Sequence, residues 1–196
     1  LRCLVGPAAA NAYLDDYAFL LNAWLDVFEA TADASLLGEA AALGSVVLDR
    51  FEDHVAGGFF FTGTGHEALV HRHKPVFDGS IPSGNSAAVQ GLLRLHAYTG
   101  EERFLASAER ALRTFAAGMT KNPFGFANMI GVADFHLRKP REIVVVGGPS
   151  DPDVRALLDR INAAYIPNKT LVVSDPGAPS GLPIVAGKTR IDGRAT

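Results

Sequence analysis

Apolar residues recur along the first half of this chain at helical spacing, and the pattern comes twice. Leu14, Tyr17, Leu21, Leu25 and Phe28 form one stripe at intervals of three and four, which predicts a helix over Leu14–Ala30. Phe19, Leu20, Trp24 and Val27 cover much of the remaining circumference, so this helix is expected to sit among neighbours rather than on a surface. Asp15 and Asp16 fall in its first turn, where carboxylates favour the positive end of the helix dipole. A second helix is predicted from Ser35 to Phe51, with Leu36, Leu37, Ala40, Val47 and Leu48 turned inward and Glu39, Asp49 and Arg50 outward.

The same order then returns. Gly84–Thr99 is dense in small and apolar residues, whereas Glu101–Ala117 is amphipathic, with Phe104, Leu105, Ala108, Leu112 and Phe115 on its inner face. Laid 68 positions apart, LDVFEATADASLLGEA falls on LRLHAYTGEERFLASA, and Leu25, Thr31, Leu37 and Ala40 meet Leu93, Thr99, Leu105 and Ala108. A buried helix, a short turn and an amphipathic helix repeated at one period mark a repeat architecture. Between the two pairs, Gly57–Thr62 and Glu67–His71 read as short strands around a Gly63–Gly65 turn, a hairpin on the rim. Beyond Arg141 the character changes: Glu142–Val146 reads as a strand, Asp153–Ala164 as a helix and Thr170–Val173 as a second strand, a βαβ unit. In the Gly- and Pro-rich tail only Leu182–Val185 reads as a further strand. The expected division is a helical-hairpin portion over 1–140 and a βαβ element with its tail over 141–196.

Composition narrows the class. A length of 196 residues, with 48% hydrophobic and 20% charged, describes an ordinary globular chain of one large domain or one domain plus an appendage. A net charge of −3 and a pI near 6.1 lack the basic footprint of a nucleic-acid binder. Cys3 is the single cysteine, which rules out an intrachain disulfide or a cysteine-only metal cluster and fits a reducing, cytoplasmic setting. No apolar run reaches the roughly 20 residues of a membrane span, because Asn22 and Asp26 interrupt the most apolar window. The chain begins without a methionine on the approach to a helix and stops on IDGRAT, so it reads as a piece of a longer protein.

Candidate chemistry concentrates in the connector LVHRHKPVFDGSIPSGNS, Leu69–Ser86, which is longer and more polar than a simple link requires. Asp78, followed by Gly79 and leading into the Pro82-Ser83-Gly84-Asn85 turn, is placed where partial desolvation would raise its pKa toward the range of proton transfer. His71 and His73 alternate with Arg72 and Lys74, so in an extended segment the histidines share one side and the cations the other. Two histidines without a third ligand in reach make no zinc site, and no metal or cofactor is expected. Arg72 and Lys74 read either as partners of Asp78 or as holders of an anionic substrate. Asp15 and Asp16 read as dipole-stabilising carboxylates or, beside Tyr17, as binders of substrate hydroxyls, with Asp16 an alternative acid or base. Ser83 and Asn85 open a helix, where such residues normally cap, and they would otherwise line the same pocket. No Gly-x-Ser-x-Gly elbow is present. Gly147-Gly148-Pro149 lacks the dinucleotide spacing, and Pro149 removes an N–H that a phosphate would want.

The words LDDYAFLLNAWLDVFEAT, GGFFFT, HRHKPVFDGSIPSGNSAA, LLRLHAYTG and EIVVVGG go further. From about Tyr13 to Asn168 the chain resembles the C-terminal half of the family of spermatogenesis-associated thioredoxin-like proteins and their bacterial relatives. Those proteins join an N-terminal thioredoxin-like domain to a six-hairpin toroid. The resemblance implies a mainly α fold, a partial (α/α)6 toroid related to N-acylglucosamine 2-epimerases and six-hairpin glycosidases. Epimerases of that fold use histidines for proton abstraction, which would give His71 or His73 a role. There are departures: this chain has no thioredoxin-like module and no CxxC motif, and it holds two complete hairpins and part of a third where a closed toroid needs six.

Two functions follow as expectations. One is a carbohydrate-active domain of glycosidase or epimerase type, taking a sugar or sugar phosphate, with catalytic candidates Asp78, Asp16, His71 and His73. Asp15, Tyr17, Arg72, Lys74, Ser83 and Asn85 would bind, against apolar walls from Trp24, Phe59 and Phe60. The other is a non-catalytic interaction domain that positions a thioredoxin-like partner or domain of the parent chain, docking through the βαβ element. The first should gather those side chains around one concavity, and the second should scatter them and expose a contiguous apolar patch. An isolated piece is further expected to cover Phe19 or Trp24 against another copy, another fragment or its own tail.

Overall fold

The predicted helices form where the apolar spacing puts them, with ends set by local caps. The computed structural model describes residues 11–177 and 181–196, so Cys3 lies outside the described residues. Helix α1 spans Leu14–Thr31 and α2 spans Ala34–Phe51, the latter capped by Asp33, whose carboxylate accepts the Ser35 N–H at 2.9 Å. Helix α3, Gly84–Thr99, begins at Ser83, whose hydroxyl accepts the Ser86 N–H at 3.2 Å, and ends at Gly100 in the left-handed region with φ +71°. Helix α4 spans Glu102–Lys121. After a 3₁₀ turn at Pro123–Phe126, α5 (Ala127–Arg138) completes a body of two hairpins and one further helix.

Of the two helices expected to be buried, α3 is buried on all sides and α1 is not. From Gly84 to Val89, and again from Gly91 to Leu95, every residue of α3 is buried, with α1, α2, α4 and α5 packed around it. Small residues allow this. A Cβ at Gly91 would stand 2.0 Å from Leu21 Cδ2, so α1 approaches as closely as it does because there is none. Helix α1 buries Leu14, Ala18, Leu21, Leu25 and Phe28 but leaves Phe19, Leu20 and Val27 at 36, 45 and 40% exposure, with Trp24 half-buried.

The rim hairpin does not form. Residues 57–73 hold no strand and share a single isolated bridge, Phe59 with Glu52. A side chain takes the place of a partner strand: Asn85 Oδ1 accepts the Phe59 N–H at 2.7 Å, and Asn85 Nδ2 donates to the Phe59 carbonyl at 2.8 Å. Gly57 and Gly58, at φ +76° and +74°, break extended geometry just before it.

The βαβ unit is present as β1 (Arg141–Val146), α6 (Pro152–Ala163) and β2 (Lys169–Ser174), with β1 and β2 parallel and Arg141 opposite Lys169. Val145 and Leu171 pack on Val154 of α6, while Val172, and beside it Val144, joins the main helical core. Both faces of this small sheet are thereby covered, as parallel strands require. Leu182–Val185 adds no strand; Pro183–Val185 is a 3₁₀ turn that presses Ile184 into the main core. Among the described residues no helix is long and apolar enough to cross a membrane.

Candidate functional site

Asp78 is a tie between two helices. Its Oδ1 accepts the Ser83 N–H at 2.8 Å and the Ser86 hydroxyl at 2.7 Å, and its Oδ2 accepts the N–H groups of Asn128 and Met129 at 2.9 and 3.1 Å. It therefore caps α5, which has no side-chain cap of its own at Phe126, while securing the start of α3. Burial pushes the Asp78 pKa up, but these donors, led by the Ser83 N–H and the Ser86 hydroxyl, outweigh it and hold the carboxyl below its ordinary value. The rise expected for a proton-transfer group is absent.

The other residues of the connector are engaged locally. Lys74 meets Asp53 at 2.6 Å rather than Asp78, and it donates to the Gly57 carbonyl at 2.7 Å. The bond from Lys74, followed by that from the Ala56 N–H, pulls the Asp53 pKa down to about 2. Arg72 lies 4.1 Å over the Phe60 ring and donates to the Thr62 carbonyl. Both cations are occupied, and neither holds Asp78. His71 and His73 face outward while Arg72 and Lys74 turn in, so the alternation expected of an extended segment holds without a strand. Asn85 is fully buried and bound to Phe59 and Pro75, and Ser83 is the α3 cap. Asp16 accepts the Tyr13 N–H at 2.9 Å, and Tyr17 packs on Phe51 with ring centroids 5.3 Å apart. Asp15 sits against the start of α3, where a Gly84 Cβ would come within 2.0 Å of its Oδ1. Of the expected set, Asp15, Asp78, Ser83 and Asn85 meet at the α3 N-terminus, whereas Arg72 and Lys74 share the Phe60 ring instead, at 4.1 and 4.9 Å from its centroid. Phe59 is buried, and Phe60 lies under Arg72.

A concave polar site exists, and other residues make it. Helices α1 and α5 pack on α3 and leave a cleft of about 350 Å³ between them, closed at one end by the approach to β2. Ser86, Gln90 and Arg94 recur every four residues along α3, a polar line on an otherwise small and apolar helix. Asn22, Asp26 and Glu29 face it from α1, and Asn128 from α5. Arg94 is the fixed point: its side chain is 9% exposed and its guanidinium meets Asp26 at 2.8 Å and Glu29 at 2.9 Å, with Asn22 Oδ1 at 3.4 Å. Burial alone would lower the Arg94 pKa; the Glu29 and Asp26 carboxylates reverse that and raise it. The Tyr98 hydroxyl donates to Glu29, and burial, reinforced by that carboxylate, pushes the Tyr98 pKa far up, so the phenol remains a donor. The result is a rigid array of acceptors and donors with one wall of Val132, Phe135 and Ile166. Among the described residues no group of three or more His, Cys, Asp or Glu is placed to hold a metal ion.

Sequence reasoning passed over this cleft. Its residues lie far apart in the chain, and Asn22 and Asp26 looked like interruptions of an apolar helix. The available signal was that both interrupted helices, α1 and α3, carry polar residues at intervals of three or four.

No family model matches this chain. It is 33% identical over 190 residues to "Spermatogenesis-associated protein 20" of Mus musculus, an alignment that covers 94% of this chain and 24% of that protein. The protein of the same name from Rattus norvegicus is 34% identical over 193 residues, covering 94% and 24%, and that from Homo sapiens 32% over 211 residues, covering 99% and 26%. These proteins are homologues of the chain, in line with the resemblance carried by its loop and helix words. The chain spans about a quarter of the length of the relatives it matches.

Proposed function

We propose that this chain is part of a toroid-type domain that binds a carbohydrate between α1 and α5. The observation that carries the reading is the Arg94–Glu29–Tyr98 array, held out of water at the floor of a cleft with an aromatic wall. Two successive helical hairpins, α1 with α2 and α3 with α4, support the toroid. Sugar recognition needs what the cleft offers, fixed polar groups for hydroxyls beside an apolar face for ring C–H groups. No reaction is assigned to the cleft: Asp78 and Asp16 have structural partners, and none of Asp78, Asp16, His71 and His73 lines it. A thermal-shift screen of neutral sugars tests this. A ligand at ten times its dissociation constant should raise the melting temperature by about 3–6 °C, and no response to any sugar would refute the reading.

A second reading, an interaction domain, is supported by a different observation. Phe19, Leu20 and Val27, with Ala23 between them, make an apolar row on the outer face of α1 rather than on the βαβ unit. The occupant that fits is another segment of a chain as long as the relatives, since three-quarters of their length lies outside the aligned part. A thioredoxin-like domain is one such segment. Covering the exposed parts of the three side chains would contribute about 2–4 kcal/mol.

A further inference from the structure

We infer that the space beside Gly131 is kept open for the ligand of the α1–α5 cleft, and that this ligand is an uncharged polyhydroxyl molecule rather than a sugar phosphate; the inference rests on the reading of that cleft as a carbohydrate site. Gly131 lies in the interior of α5 and lines the cleft, yet nothing stands within 4 Å of where its Cβ would be. A glycine inside a helix costs about 1 kcal/mol relative to alanine, and most glycines in the body helices have a packing reason. At Gly44, Gly84, Gly91 and Gly118 a Cβ would come within 2.5, 2.0, 2.0 and 2.7 Å of a neighbour. Gly131 has none, so the protein carries the helical penalty without a steric return from its own fold. Gly38 is equally open and, like Gly131, exposed, but it lies on α2 and does not line the cleft.

The ligand class follows from the charges. Arg94 would be the natural anchor for a phosphate, but Asp26 and Glu29 already neutralise it. Over the lining as a whole, Asp26 and Glu29 balance Arg94 and Lys169, so a doubly charged anion meets no net positive field. Gln90 offers amide donors and an acceptor of the kind that pair with hydroxyls, and Asn128, whose Nδ2 also donates to the Ser86 hydroxyl at 3.0 Å, adds its amide oxygen, beside the Phe135 wall.

The test compares the unmodified chain with Gly131→Ala and Gly38→Ala, using saturation-transfer NMR and calorimetry with glucose, mannose, maltose, glucose 6-phosphate and inorganic phosphate. Both substitutions should raise the unfolding midpoint, because each replaces a helical glycine in open space. Gly131→Ala should weaken neutral-sugar binding at least tenfold, and Gly38→Ala should leave it unchanged. Unaltered sugar affinity in Gly131→Ala would overturn the role of the open space while leaving the carbohydrate reading intact. Tighter binding of glucose 6-phosphate than glucose, with inorganic phosphate competing, would overturn the ligand class alone. Absence of binding by every sugar in the unmodified chain would overturn both.

Discussion

Replacing Asp78 separates a structural carboxylate from a catalytic one. Four donors converge on it, two from the start of α3 and two from the first turn of α5. Hydrogen bonds to a charged group contribute about 1.5–3 kcal/mol each in favourable cases, and a helix cap about 1 kcal/mol. Asp78 is only partly buried, so water will replace some of these bonds, and bonds to one carboxylate do not add fully. Asp78→Ala should therefore lower stability by about 3 kcal/mol, read as a drop of about 6–12 °C in melting temperature for a chain of this size. Asp78→Asn should cost less, about 2 kcal/mol, because its amide oxygen can still serve one pair of donors while its NH₂ faces the other. The pH dependence has a defined sign. The folded pKa lies below the ordinary 3.8, so the stabilisation is fully present above that value and is lost as pH falls through the folded pKa. Urea titrations of both variants at neutral pH and in acid check this. If either variant were as stable as the parent, or more stable, as happens when an active-site group is neutralised, Asp78 would not be a tie.

Gly91→Ala should cost about 1–3 kcal/mol in urea, because its methyl would overlap Leu21 and drive α1 away from α3. Below pH 3.8 the Asp53–Lys74 pair should weaken as Asp53 protonates near pH 2; in Lys74→Met that acid-side titration, followed by NMR of Asp53, should move upward toward the ordinary value. For the interaction reading, Leu20→Cys in a Cys3→Ser background should react rapidly with a maleimide in this chain and slowly in a chain of the relatives' full length; equal rates would refute a covered α1 row.

Much of the fold was legible from periodicity alone. α3 runs from Gly84 to Thr99 as its pattern indicated, and the two strands of the βαβ unit fall on the Val-rich runs. The rim was not legible, because Phe59–Phe61 have strand-forming side chains whose backbone partners, Asn85, Phe51, His73 and Leu14, are scattered over separate segments. The expectation that α1 is buried all round failed for a related reason. Burial all round depends on how closely helices approach, and Ala87, Ala88 and Gly91 decide that better than the large residues of α1. The connector attracted attention through its polar density, yet that density is what a loop without secondary structure needs in order to tie α2, α3 and α5 together. The cleft was hidden because Glu29, Arg94 and Asn128 are each unremarkable until the fold brings them side by side.

The central claim, that ligand recognition resides between α1 and α5 and not in the connector, is tested most directly by mapping NMR shifts during titration with a neutral sugar that stabilises the chain. The account predicts that the side-chain amides of Gln90 and Asn128 and the backbone amide of Gly131 move together, with a single affinity, while the rings of His71 and His73 do not. Shifts centred on His71, His73 and the Asp78 loop, with the Gln90 and Gly131 signals unmoved, would contradict it.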